Sequence, residues 1–470
     1  MALLEYKGVD LSSGSTWALI VQFAIIFVAI LFSNVLRRKI KFIKNSLLPA
    51  SVIAGVLIFA LMFIPAVDNL INKEFMEKLT YHCLGLGFIA VALKTSIKKK
   101  ENNKGAVLDT GITTVNGYLI QGIVGLGLSI VLSVTVFKKL FYASGLLLPM
   151  GYGQGTGQAL NIGNVFATFG FSEGPSFGLA IAAIGFLVAC IVGVIYLNVL
   201  KRKGKLVVQQ QRIDNNKLDD NIFDEEEAPL SESVDKLTIQ VGFIFGVYLM
   251  TYLLILGLST LSTNYLGKFG TNTLKPLLWG FNFLFGTILA IFVKFIVKKL
   301  REKKIMKYVY INNFMMNRLS GLFFDVMIVA GIAAIDWQNL QGLLWPLLII
   351  CIVGGIATFI YIKFIAKKIF PNYEYEMFFS MFGMLTGTAS TGMILLREID
   401  PNYETPASNL FVLSQFPAMI SVAPLLLLLN FAGKSFTNAV IAFAIFLVLF
   451  IGYTLFLFRT AIFKKKKKSD

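Results

Sequence analysis

Long charge-free apolar runs decide what this chain can fold into. Leu11–Leu36, Asn45–Val67, Thr110–Phe137, Leu140–Ser172 and Gly174–Leu200 come first. Leu237–Gly267, Pro276–Val293, Trp337–Ile362, Met377–Leu396, Thr405–Gly433 and Ser435–Phe458 follow. Leu79–Leu93 is shorter, with Lys94 placed to snorkel at its end, and Asn317–Ile335 carries Arg318 and Asp325. About 20 such residues span a bilayer as a helix, and hydrocarbon tolerates no loose backbone polar groups. Only 15% of the 470 residues are charged and mean hydropathy is +0.73, which excludes a soluble enzyme, a disordered chain and a disulfide scaffold. The fold class is an all-α polytopic membrane protein. Cys83, Cys190 and Cys351 sit in apolar runs without metal-ligand spacing, His82 is the sole histidine, and no Gly-x4-Gly-Lys-Ser/Thr motif occurs. The expectation is therefore a non-enzyme with no cofactor.

The net charge of +17 reads as topology, not as nucleic-acid binding. With the N-terminus outside and two runs that do not cross, 33 of the 43 basic residues fall on the cytoplasmic side and eight outside. Arg318 and Arg397 are left over. The cytoplasmic clusters include Arg37–Lys44, Lys94–Lys104, Lys201–Lys236, Lys294–Lys307 and the tail Lys464–Lys468, where they would meet anionic lipid heads. If Leu140–Ser172 or Met377–Leu396 crossed fully, parity would move basic clusters outside, so both are expected to be re-entrant. The predicted organisation is two inverted-topology five-helix repeats, each with a re-entrant hairpin. The first is 1–200 with its hairpin at about 142–168, and the second is 237–433 with its hairpin at about 376–397. Residues 201–236 form a cytoplasmic linker, and 434–470 add one transmembrane helix and a basic cytoplasmic tail.

The two re-entrant runs share a pattern. Gly155-Thr156 precedes Pro175 by 20 residues, and Gly387-Thr388 precedes Pro406 by 19, with a Glu shortly before each Pro. Residues 150–164 hold five glycines, each costing a helix roughly 1 kcal/mol relative to Ala. A broken helix at membrane depth lines a cavity, offering carbonyls to a cation and helix N-termini to an anion. The candidate binding residues are Gly153, Gln154, Gly155, Thr156, Gly157, Gln158 and Asn161 in the first run. Thr386, Gly387, Thr388, Ser390 and Thr391 are their counterparts in the second. The competing reading is close helix packing through small residues.

Gly153-Gln-Gly-Thr-Gly-Gln-Ala159 resembles the glycine-rich re-entrant motif of the glutamate:sodium symporter family, His-Gly-Thr-Gly-Ala-Ala, with Gln154 in the place of the His. Gly387-Thr388-Ala389-Ser390-Thr391 is similar to the family's second motif, Gly-Ala-Thr-Pro-Thr. The resemblance covers most of Leu11–Gly433. It implies sodium-coupled symport of glutamate or a related acidic amino acid or dicarboxylate, by an elevator-like homodimer in the cell membrane. Gln158 and the last span depart from the family pattern.

Charged residues within the runs are candidates by cost alone. Asp325 is a candidate sodium or proton ligand; the alternative is an ion pair with Arg318, two turns earlier. Gly155, Gly387 and Thr388 complete the candidate sodium set. Arg397 is the best side chain to clasp a substrate carboxylate, although an interface anchor paired with Glu398 or Asp400 suits its position better. Two alternatives stand beside sodium symport: an ion channel with paired pore loops, and a proton-coupled transporter of another organic anion.

Overall fold

The computed structural model describes residues 14–94, 104–206, 230–306, 310–400 and 405–459, and among them every regular element is helical. The first half contains α1 (Gly14–Lys39), α2 (Ala50–Leu61), α3 (Lys73–Leu93), α4 (Lys104–Val134), α5 (Thr156–Ala167) and α6 (Gly174–Arg202). The second contains α7 (Leu230–Phe269), α8 (Asn282–Glu302), α9 (Asn313–Ala333), α10 (Leu344–Ile369), α11 (Glu374–Thr386), α12 (Ala389–Arg397) and α13 (Ala407–Gly433). A last helix, α14 (Phe436–Leu457), follows. Among the described residues seven helices are long and apolar enough to cross a membrane: α1, α4, α6, α7, α9, α10 and α14. Most of the 201–236 linker, most of the Lys94–Lys104 cluster and the Lys464–Lys468 tail lie outside the described residues.

Prolines and loose turns reshape two of the expected spans. The run Asn45–Val67 yields only the 12-residue α2, with Pro49 just before its first residue and Pro65 opening a separate turn. At 1.5 Å per residue α2 is about 18 Å long, too short to cross alone. The run Pro276–Val293 divides at Phe281 into Lys275–Gly280 and α8.

Two buried amides bracket the starts of α3 and α9 in the same way. Gln22 on α1 accepts from the Asn72 N–H at 3.1 Å and donates to the Leu70 carbonyl at 2.7 Å. Gln240 on α7 accepts from the Asn312 N–H at 3.0 Å and donates to the Tyr310 carbonyl at 2.7 Å. Asn72 and Asn312 in turn cap their helices, accepting from Phe75 N–H at 2.9 Å and Met315 N–H at 3.1 Å. Each amide thus satisfies groups that a helix start leaves without an intrahelical partner.

The bracketed helices α3 and α9 pack along each other, with α2 and α8 beside them. Glycines set the spacing: a Cβ on Gly87 would lie 2.6 Å from the Phe324 ring, and one on Gly55 would lie 2.8 Å from Ile332. The last helix, α14, is fastened to α4 along its length. Phe446 fills the space at Gly122, Asn116 donates to the Thr454 hydroxyl at 2.8 Å, and Arg459 pairs with Asp109 at 2.6 Å.

Candidate functional site

The glycine-rich run 150–164 unwinds where its composition says it should. Pro149–Gly153 forms one π-helical turn, Gln154 follows, and α5 begins only at Thr156. Such turns recur at functional sites because they free backbone groups from the ladder. Gly155 supplies the break with φ +79° and ψ −171°, a region open essentially to glycine. As the residue before α5 it offers no side chain to cap the first-turn N–H groups.

The second run breaks between Thr386 and Ala389. Gly387 leaves the helix, Thr388 is extended, and the Thr388 hydroxyl accepts from the Thr391 N–H at 3.4 Å. The halves α11 and α12 fold back on each other as a tight hairpin. A Cβ on Gly383 would lie 2.7 Å from the Gly392 Cα, and a Cβ on Gly392 would overlap the Ser380 carbonyl. Small residues do here what they do throughout membrane helix pairs: they let backbones touch.

The two breaks meet. A Cβ built on Gly155 would sit 3.6 Å from the Thr388 methyl group, in ordinary contact. The N-termini of α5 and α12 therefore end at one place, and so do the carbonyl ends of the Pro149–Gly153 turn and α11. Converging N–H groups and helix dipoles favour a carboxylate, while the freed carbonyls suit a monovalent cation.

Most of the residues singled out from sequence lie in the two breaks or in the first two turns of the helices that follow them. Thr156 donates to the Met327 carbonyl of α9 at 3.3 Å, and Gly331 leaves room for its Cβ. Gly157 packs against Leu84 and Met327. Gln158 is 1% exposed and neither of its side-chain polar atoms has a protein partner. Asn161 donates to the Gly280 carbonyl at 3.0 Å, and Gly153 accepts from the Tyr118 hydroxyl at 3.4 Å. Gln154 is half-buried at the break. The Thr386 hydroxyl donates to Phe382 at 2.7 Å, and its carbonyl abuts Gly185 of α6. Thr388 and Thr391 share a hydroxyl contact at 3.3 Å. The Ser390 side chain lies outside the described residues.

Two charged candidates are not brought to the breaks. Arg397 is exposed at the far end of α12, nine residues and about 13 Å of helix from Thr388. Asp325 lies beside Ser51 of α2 on the exposed side of α9, two residues before Met327, whose sulfur faces Gly157 of α5. Two residues are about 200° of helical turn, so the carboxylate points away from the breaks. Arg318, its suggested partner, stacks over Phe314 at 5.0 Å.

Sequence reading missed Tyr118 and Gln121, which reach the breaks from α4. Their only signal was polar groups in mid-run within Thr110–Phe137, and nothing local says which way a mid-span residue faces. Gln121 donates to the Leu385 carbonyl at 2.6 Å and to the Thr358 hydroxyl at 3.0 Å.

The family model for the sodium/glutamate symporter matches residues 17–404, which includes both breaks and ends before α13 and α14. No curated relative matches the chain. With a match over most of its length and two broken helices meeting inside a helical membrane protein, the chain belongs to the sodium/glutamate symporter family, whose members' activity is sodium-coupled glutamate transport.

Proposed function

We propose that the place where the two breaks meet binds glutamate and sodium together, and that the chain carries both across the cell membrane by alternating access. The close approach of Gly155 to Thr388 carries this reading, because it brings two helix N-termini and the carbonyl ends of two broken helices to one point. The substrate carboxylates take the N-termini of α5 and α12, with Thr388, Ser390 and Gln158 as side-chain partners. Sodium takes the Gly387 carbonyl and the second lone pairs of the Gly155 and Thr388 carbonyls, each of which also accepts an N–H of its own helix. Asp325, facing away from the breaks, is a second and separate cation contact, and Arg397 meets the anion only at the mouth of the hairpin.

The matched brackets Gln22–Asn72 and Gln240–Asn312 support an inverted repeat in which α1, α3 and α4 correspond to α7, α9 and α10. The basic clusters support an external N-terminus, a cytoplasmic C-terminus and contact with anionic lipid heads. The working unit is a homodimer with an elevator-like moving part that holds both breaks. In proteoliposomes, labelled glutamate is expected to accumulate only under an inward sodium gradient and to stop when a sodium ionophore is added. Uptake that ignores sodium and follows pH would overturn the coupling.

A further inference from the structure

We propose that Gln121 is a ligand of the coupling sodium ion and the residue that holds the two breaks in register. Gln121 is fully buried in the middle of α4. Its Nε2 is committed to the Leu385 carbonyl and the Thr358 hydroxyl, at 2.6 and 3.0 Å. Leu385 lies in the last turn of α11, where carbonyls lack intrahelical donors, so the first bond steadies the second break. The amide cannot be turned over, because that would set its oxygen 2.6 Å from the Leu385 oxygen.

This orientation fixes the other end of the amide. Oε1 has no protein partner and points at the first break, 3.3 Å from where a Cβ on Gly153 would stand. One turn earlier on α4, Tyr118 reaches the Gly153 carbonyl. A buried amide oxygen left unmatched costs on the order of 1–3 kcal/mol, so its position needs a compensating partner. The backbone beside it is that of Gly153 in the π-helical turn, whose carbonyl accepts from Tyr118 and keeps a second lone pair, and the chemistry that suits neutral oxygens in a dry pocket is a monovalent cation. A bound ion would join α4 to both breaks at once and make the closed arrangement depend on sodium. Gln121 would then couple ion binding to the geometry that receives the carboxylate.

This inference rests on the sodium-coupled reading above, and thermal-shift titrations of the purified full-length protein separate the two. Sodium chloride is titrated against choline chloride without glutamate. The wild type is expected to be stabilised by sodium. Gln121→Leu is expected to raise the half-saturating sodium concentration by about tenfold or more, the effect of roughly 1.4 kcal/mol. Thr358→Val, which removes only a neighbour of Nε2, is expected to leave it close to wild type. Gln121→Glu keeps an oxygen at the Oε1 place; protonated, its other oxygen can still donate to the Leu385 carbonyl, and ionised, it is repelled there unless a cation is bound, so its sodium affinity is expected to tighten as pH rises while the wild type stays flat. A Gln121→Leu protein with the wild-type sodium titration overturns the inference and leaves sodium coupling standing. If that variant does not fold, a Gln121→Glu titration that is flat with pH overturns it instead. A wild type with no sodium response removes both.

Discussion

Gly155→Ala tests the first break where its cause is best defined. At φ +79° and ψ −171° an L-residue is held in a region essentially reserved for glycine, at a cost of about 1–3 kcal/mol. Space is not the reason, since the new Cβ would stand 3.6 Å from the nearest atom. The chain would relieve the strain by rotating the peptides around residue 155, turning the first N–H groups of α5 away from the second break. If the competent arrangement loses that energy, glutamate affinity falls roughly 5- to 150-fold. Asn is no remedy, because its tolerance of positive φ belongs to the left-handed helical region, not to this ψ. Gly387→Ala is a different case: its φ is negative, and the Cβ would crowd the Gly383 carbonyl and the Thr391 hydroxyl at 3.0 Å. The sequence alone suggests one cause for both substitutions, a Cβ blocking backbone approach; the structure assigns conformational strain to Gly155 and crowding to Gly387. The assay is equilibrium binding of labelled glutamate in saturating sodium, with size-exclusion profiles to confirm folded protein. A folded Gly155→Ala or Gly155→Asn variant with wild-type affinity would refute this account of the break.

Three further outcomes are expected. Gln158→Met removes two unmatched buried polar atoms, so the ligand-free protein should melt higher while glutamate binding weakens by about tenfold, the loss of a hydrogen bond to a charged group. Paired thermal-shift and binding measurements check both signs at once. Gly392→Ala sets a methyl group against the Ser380 carbonyl and should open the α11–α12 hairpin at a cost of about 1–3 kcal/mol, abolishing uptake in protein that still elutes as a folded species. Asp109→Asn and Arg459→Ala each release the end of α14 from α4 and should lower the melting temperature by about 2–4 °C, with the double variant no worse than either alone.

What the sequence made legible was whatever rests on composition and spacing. The apolar runs located the long helices because hydrocarbon permits little else. Both breaks were readable because Gly155 and Gly387 sit in runs where helix is expensive. Helix length within a run was less visible, since it depends on where prolines fall: Pro49 and Pro65 reduce an expected span to the 12 residues of α2. Facing direction was not legible at all. Asp325 and Met327 are two residues apart, yet one is exposed and the sulfur of the other faces Gly157. Gln121 looked like one polar residue in an apolar run, and only three-dimensional packing shows that it reaches both breaks. The brackets at Gln22 and Gln240 leave no local mark in the sequence for the same reason, because they join segments about 50 and 70 residues apart in the chain.

The most direct test is hydrogen–deuterium exchange of the backbone amides at both breaks, in sodium alone, glutamate alone and the two together. If one carboxylate is held by both helix N-termini, the amides of Thr156, Gly157 and Gln158 and those of Ala389, Ser390 and Thr391 should gain protection together, and fully only with sodium and glutamate present. Protection confined to one break, or equal protection by glutamate without sodium, would contradict a shared site.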